Sequence, residues 1–340
     1  MRKLSSVVVL VVGLSVVTAT GATGDSTSTS STTTTTPSTT LKPRKPVYVA
    51  PLTGLPDRLR VSKRRPALTV KIDNTPEAHP QSGLQSADVV YEEIVEGGIT
   101  RLAAIFNSKL PPTVGPVRSV RRTDREVVDP IGGIFACSGG AQYALQSIAT
   151  APVHLVDQSN AGAAMFRSST RYAPHNLYAI PSRLMAMGGK PRPPHALFRY
   201  SAAKHSTLGR PISAFTVGFG AGFATSYQWD TRTRSWDRSI FSRPDVTATG
   251  QRLSPTNVIV MTVHYKGGMG VEGSEAQLTG SGPVAVFTNG RLQSGTWRRS
   301  TMHRATVYVS TSGRVITLQP GQTWVELMDV SEHLSIVPRK

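Results

Sequence analysis

The chain has 340 residues, 39% of them hydrophobic, and a formal net charge of +18. That apolar content supports a packed core and excludes a wholly disordered chain, while a single cysteine, Cys137, excludes an internal disulfide and leaves stability to packing. So positive a balance favours acidic partners.

Arg2 and Lys3 precede an apolar run from Val7 to Val17, and small residues at Ala19, Gly21, Ala22 and Gly24 follow. This is the order of a secretory signal, and the run is short of the roughly 20 residues that cross a bilayer. Residues 1–24 are therefore expected to be a signal peptide or an N-terminal anchor, with cleavage favoured near Gly21 to Gly24. Lipid attachment would need a cysteine just after this segment, and Cys137 lies far beyond it. From Ser26 to Thr40 every residue except Pro37 is Ser or Thr, so nothing offsets the entropy of ordering the backbone and residues 25–46 read as a disordered linker. The body is thus expected outside the cytoplasmic membrane, secreted or held on its outer face. There the basic charge suits wall polymers, acidic glycans or anionic lipid head groups, and nucleic acid is excluded as a partner by compartment. An equal reading is that the arginines keep an exported protein soluble.

In the body, Pro66 to Asp73 reads as a strand, and Asp88 to Val95 with Ile99 to Phe106 as a hairpin around Glu96-Gly97-Gly98. Arg121 to Val128 and Ala141 to Ile148 have helical periodicity, with a short buried strand from Ile131 to Ala136 between them. After Pro191 the texture turns to strands, at Tyr227 to Trp229, Asn257 to His264, Val284 to Thr288, Gly295 to Arg298, Thr306 to Ser310, Val315 to Leu318 and Thr323 to Leu327. Asn289-Gly290 marks a hairpin turn. The fold class is α+β: a mixed α/β part over residues 47–195 and a β-rich part over 205–330.

Three segments carry polar chemistry. On the first strand of the hairpin, Glu92 and Glu93 fall on opposite faces, so they cannot pair as acid and base on one surface; Arg101 on the returning strand is a partner for one of them. The plain alternative is a solvated face with a cross-strand ion pair. The run from Val114 to Asp124 puts Arg118, Arg121 and Arg122 beside the cap-type residues Ser119, Thr123 and Asp124 at a helix start. Free N–H groups and forked guanidinium donors there suit a phosphate or carboxylate, and ordinary surface charge is the competing reading. His175 and Asn176, in a loop fixed by Pro174, can hold a sugar, a phosphate or a water, or simply tie the loop down. Cys137 at a strand end is chiefly a small buried thiol. No metal-ligand spacing links the eight histidines, and Gly218 to Gly222 lacks the spacing of a dinucleotide loop, so neither metal nor cofactor is expected.

In combination these segments resemble a known family. Pro51-Leu52-Thr53-Gly54-Leu55, Pro80-Gln81-Ser82-Gly83-Leu84, the run from Ala87 to Glu92, the run from Val95 to Arg101, Gly115-Pro116-Val117-Arg118-Ser119 and His175-Asn176-Leu177-Tyr178 look like its successive motifs. Trp229-Asp230, Trp236-Asp237-Arg238, Asn257-Val258-Ile259-Val260, Gly295-Thr296-Trp297 and Pro320-Gly321-Gln322-Thr323-Trp324 resemble its second domain. The family is the YerB-like bacterial envelope proteins of unknown function, typically lipoproteins. The resemblance covers about residues 48 to 328 and implies an N-terminal α/β domain, a β-rich C-terminal domain and no established reaction. The leading expectation is binding of an anionic envelope component at a cleft formed by Asp73, Arg101, Arg118, Arg121, Arg122, His175 and Asn176, with Glu93 completing it. The rivals are a wall-polymer or glycan enzyme using Glu93 and His175 as acid and base, and a protein partner docked on the C-terminal domain.

Overall fold

The computed structural model describes residues 47–188, 192–201 and 208–339, which form one compact unit. The expected signal or anchor and the linker, residues 1–46, lie outside the described residues. In chain order, β1 (Leu68–Asp73), β2 (Val89–Ile94) and β3 (Thr100–Phe106) are followed by α1 (Arg122–Val128), β4 (Gly133–Ala136), α2 (Gln142–Ile148), β5 (Val153–Val156), β6 (Met165–Arg167), β7 (Leu177–Ala179) and α3 (Pro181–Met187). The remainder is all strand: β8 (Arg210–Gly218), β9 (Ala224–Asp230), β10 (Ser235–Ile240), β11 (Arg243–Pro244), β12 (Asn257–Val263), β13 (Tyr265–Lys266), β14 (Glu275–Ala276), β15 (Gly280–Thr288), β16 (Arg291–Arg299), β17 (Val307–Ser310), β18 (Thr323–Asp329) and β19 (Leu334–Pro338). The α+β class and the expected helices and hairpins are all present.

One sheet runs through both parts, in the order β11-β10-β9-β8-β16-β15-β12-β18-β2-β3-β1-β4-β5. The join is β18, which lies between β12 and β2 and pairs in parallel with each. Every residue of β1, β2, β3 and β18 is buried. Strands buried on both faces lose the polar-out alternation of a solvated hairpin, so the expected solvated hairpin face around Glu92, Glu93 and Arg101 is absent. The burial on one face comes from β8, β9 and β10, which fold back over the sheet: Phe215 stacks on Phe287 with ring centroids 3.6 Å apart, and Trp236 meets Phe287 edge-on at 5.7 Å. On the other face α1 brings Asp124 within 2.8 Å of Lys71 on β1.

Asn289 and Gly290 take the left-handed conformation (φ 55° and 68°) between β15 and β16, the turn their identity announces. The expected strand from Val315 to Leu318 is reduced to single bridges, Val309 to Val315 and Tyr200 to Leu318. Cys137 is fully buried and free, and burial pushes its thiol pKa up to about 12, the inert outcome.

Candidate functional site

The side-chain alternation of β1 sorts two polar systems onto opposite faces of the sheet. Lys71 and Asp73 share one face with Glu93 of β2 and Arg101 of β3; Asn74 and Glu92 serve the other. Register places Asp73, Arg101 and Glu93 in one row across three strands.

The first system opens to solvent. Past the end of β4 the segment Pro116 to Arg118 takes up pairing beside β1: the Asp73 N–H donates to the Pro116 carbonyl at 2.9 Å and the Arg118 N–H to Lys71 at 2.9 Å. Val117 in turn donates to Leu177 of β7 at 2.6 Å. This short ladder brings two loops distant in sequence onto one carboxylate. Asp73 Oδ2 lies 3.0 Å from Arg118 Nε and 2.7 Å from His175 Nδ1, and His175 Nδ1 is also 3.2 Å from the Thr75 hydroxyl. Asp73 is buried, while the Arg118 and His175 side chains each keep 20% of their surface exposed. Arg121 closes the other flank through Glu96, at 2.7 and 2.8 Å to the two carboxylate oxygens.

Arg101 lies between these pairs. Its side chain is buried to 6% exposure and donates from Nη1 to the Ser119 carbonyl at 3.2 Å, and its Nε has no hydrogen-bond partner. Among the described residues it has no ion-pair partner, because Asp73 is taken by Arg118 and Glu96 by Arg121. Burial, then the charges of Arg121 and Arg118, push its pKa down to about 10 against the opposing pull of Glu96 and Asp73. A buried cation with neighbours of the same sign is a standing electrostatic cost, and an anion relieves it.

Not every expected residue joins. Arg122 turns away to lie over the Tyr143 ring at 4.7 Å. Asn176 is spent on its own loop, accepting from Arg167 at 2.7 Å and donating to the Ser168 and Arg171 carbonyls at 3.3 Å. Glu93 bonds Lys71, which also donates to Asp124 at 2.8 Å, and burial raises the Glu93 pKa. No hydrogen bond links Glu93 to His175, whose Nδ1 is held by Asp73 and Thr75. The helix start is filled from within: Asp124 accepts the Arg121 N–H at 2.7 Å, and the Thr123 hydroxyl accepts from Ala276 at 3.0 Å. With the Asp124 carboxylate at the helix start, the arginines are the stronger donors for an anion. Sequence reasoning missed Lys71, Thr75 and Glu96; a lysine inside a strand of otherwise core-type residues was the one available signal.

The second system lies in the interior. Arg238 of β10, fully buried, donates to Glu92 at 2.7 Å and also bonds Asp245, with its guanidinium 4.6 Å from the Trp324 ring. Glu92 accepts from Asn74 and Thr100 at 3.0 and 2.6 Å. Tyr227 donates to Glu326 of β18, and burial, with Glu92 close by, raises the Glu326 pKa well above its ordinary value. These contacts tie β2 and β18 to the overlying strands, and the partly exposed His79, 3.1 Å from Asn74 and 3.5 Å from Asp245, links the network to the surface. Among the described residues no three His, Cys, Asp or Glu side chains gather as metal ligands, and no helix is long and apolar enough to cross a membrane.

Residues 52–192 match the protein of unknown function (DUF3048) N-terminal domain and residues 215–325 its C-terminal domain. The chain is 30% identical over 305 residues to "Putative lipoprotein YerB" of Bacillus subtilis, covering 84% of this chain and 88% of that one. The crystal structure of YerB from Bacillus subtilis superposes with a TM-score of 0.73 at 25% identity, covering 85% of this chain and 99% of that one. With both domain matches in order, and with likeness in sequence and in fold over most of its length, the chain belongs to the YerB-like DUF3048 family.

Proposed function

We propose that this is a cell-envelope protein that works outside the cytoplasmic membrane and binds an anionic envelope component, through phosphate or carboxylate groups, at Arg101, Arg118, Arg121 and His175. The envelope placement rests on the relative named as a lipoprotein and on the secretory order of residues 1–24. One observation carries the binding reading: Arg101 is buried, has no carboxylate of its own and keeps an unpaired Nε. Arg118 and Arg121 are oriented by Asp73 and Glu96 yet partly exposed, so each has donors left for a ligand oxygen. The test is retention on purified cell walls and on inorganic polyphosphate at rising salt. Wild type is expected to bind with a steep salt dependence, and Arg101→Met with Arg118→Ala to lose about tenfold or more of its affinity. Retention that ignores these substitutions would refute the reading.

Catalysis is the second reading, favoured by Asp73 holding His175 at Nδ1, which leaves Nε2 as the basic atom. In it Asp73 is the positioning residue and Glu93, engaged with Lys71, takes no part. Turnover of a wall polymer that His175→Ala abolishes while polymer retention persists would support it; unchanged turnover would end it.

A further inference from the structure

A second cationic surface lies at the start of the described body, and it is chemically unlike the Arg101 site. Val47, the first described residue, leads into a loop closed by the Val49–Pro56 bridge. Four of the twelve exposed large hydrophobic residues among those described come from this stretch: Val47, Val49, Leu55 and Leu59, the last 75% exposed. Interleaved with them are Arg58, Arg60, Lys63 and Arg64, with Lys109 joining from beyond β3; all five are exposed. Among the described residues none of the five is in an ion pair. The carboxylate within the stretch, Asp57, is occupied by the N–H groups of Val61 and Ser62 and by the Ser62 hydroxyl, at 3.0, 2.8 and 2.7 Å. Those bonds fix the loop, and Arg60 takes the left-handed conformation at φ 53° within it. Leu55, Pro56, Arg58, Leu59, Val61 and Lys109 together line a shallow groove of about 510 Å³.

We propose that this face is a peripheral membrane-docking surface that takes the anionic phospholipid head groups of a bilayer. Charge alone would fit any polyanion. The exposed leucines and valines decide between occupants, because a soluble wall polymer gives them nothing to bury against, whereas a bilayer interface takes both the cations and the apolar side chains. The stretch begins at Val47, the first described residue, so the face belongs to the amino-terminal edge of the body. The proposal rests on the extracytoplasmic placement above but not on the anion site.

The test is co-sedimentation of the full chain with phosphatidylcholine vesicles, with and without phosphatidylglycerol. Residues 1–46 contribute equally to every variant, so differences report on the face. Wild type is expected to bind the anionic vesicles at least about tenfold more tightly than neutral ones, with the preference lost at high salt. Arg58→Gln with Arg60→Gln and Lys63→Gln should remove the preference, Leu59→Asp should weaken binding to both vesicles, and Arg232→Gln, at the exposed turn between β9 and β10, should change neither. Two results overturn the proposal: vesicle binding unchanged in the charge variant or in Leu59→Asp, and soluble polyphosphate held equally by wild type and Leu59→Asp while displacing the vesicles. Failure here with Arg101-dependent wall retention intact would leave the site of the preceding section standing, and the reverse outcome would remove only that site.

Discussion

Arg101 sets stability against binding. Its guanidinium is desolvated among like charges, so Arg101→Met is expected to raise the unfolding free energy by on the order of 1–2 kcal/mol while reducing stabilisation by polyphosphate. Thermal melts with and without polyphosphate check both halves; a variant less stable than wild type contradicts the first. Glu92 and Glu326 are a second contrast, because replacing these two neighbours in one network has different consequences. The folded-state pKa of Glu326 is raised, so the stability gained by holding its proton is complete below the unfolded value near 4.5 and is lost as pH rises through the folded value. Glu326→Gln should therefore flatten the decline in stability above about pH 4.5. Glu92→Gln, which weakens the partner of Arg238, should destabilise by about 3 kcal/mol; pH-dependent denaturant melts separate the two. The solvent-facing cluster was legible because Arg101, Arg118, Arg121 and His175 sit in segments of unusual polarity for their position, at 88–101, 114–124 and 172–178. Lys71, Arg238 and Glu326 were not, since each finds its partner on another element and nothing in the local sequence marks that pairing.

Elements declared themselves where the local chain dictates geometry. The β15–β16 hairpin was readable from Asn289-Gly290 alone, because two successive left-handed residues match the twist of the strands. Gly290 has a second constraint: a Cβ there would come within 2.7 Å of the Trp229 ring. Gly290→Ala is expected to lower stability by more than about 1 kcal/mol, with Asn289→Gly nearly neutral, as read from urea midpoints. The strands β8 and β10 escaped notice for the opposite reason. Arg210–Gly218 contains Pro211 and ends on Gly218, and Ser235–Ile240 carries Asp237 and Arg238, residues that local propensity counts against a strand. Arg238 is tolerated there only because Glu92 and Asp245 neutralise it from other parts of the chain. Val315 to Leu318 was overread because β-branched residues resemble a strand even where only isolated bridges form.

At the scale of the whole molecule, the two family domains are matched separately along the sequence but share one sheet and one continuous core. Without the C-terminal part, β2 would lose β18 along its edge and Glu92 would lose Arg238. Expressed alone, residues 47–195 are expected to be unfolded or aggregated, and co-expression with 205–340 should restore a soluble complex; circular dichroism and gel filtration report the outcome, and a stable isolated N-terminal part would contradict it. The sequence could mark the change of texture after Pro191 but not this closure, because a parallel strand pair leaves no local turn signal. The seating of β18 also has a consequence for biogenesis. Val89 waits for Thr323, so the central strand is completed only when almost the entire chain is available. Non-local pairing of this kind slows folding and keeps strand edges open meanwhile. On the extracytoplasmic placement proposed above, a chain delivered amino-terminus first would stay unfinished throughout its passage, threadable until delivery is complete, and would reach its final fold, and with it any working site, only at the destination.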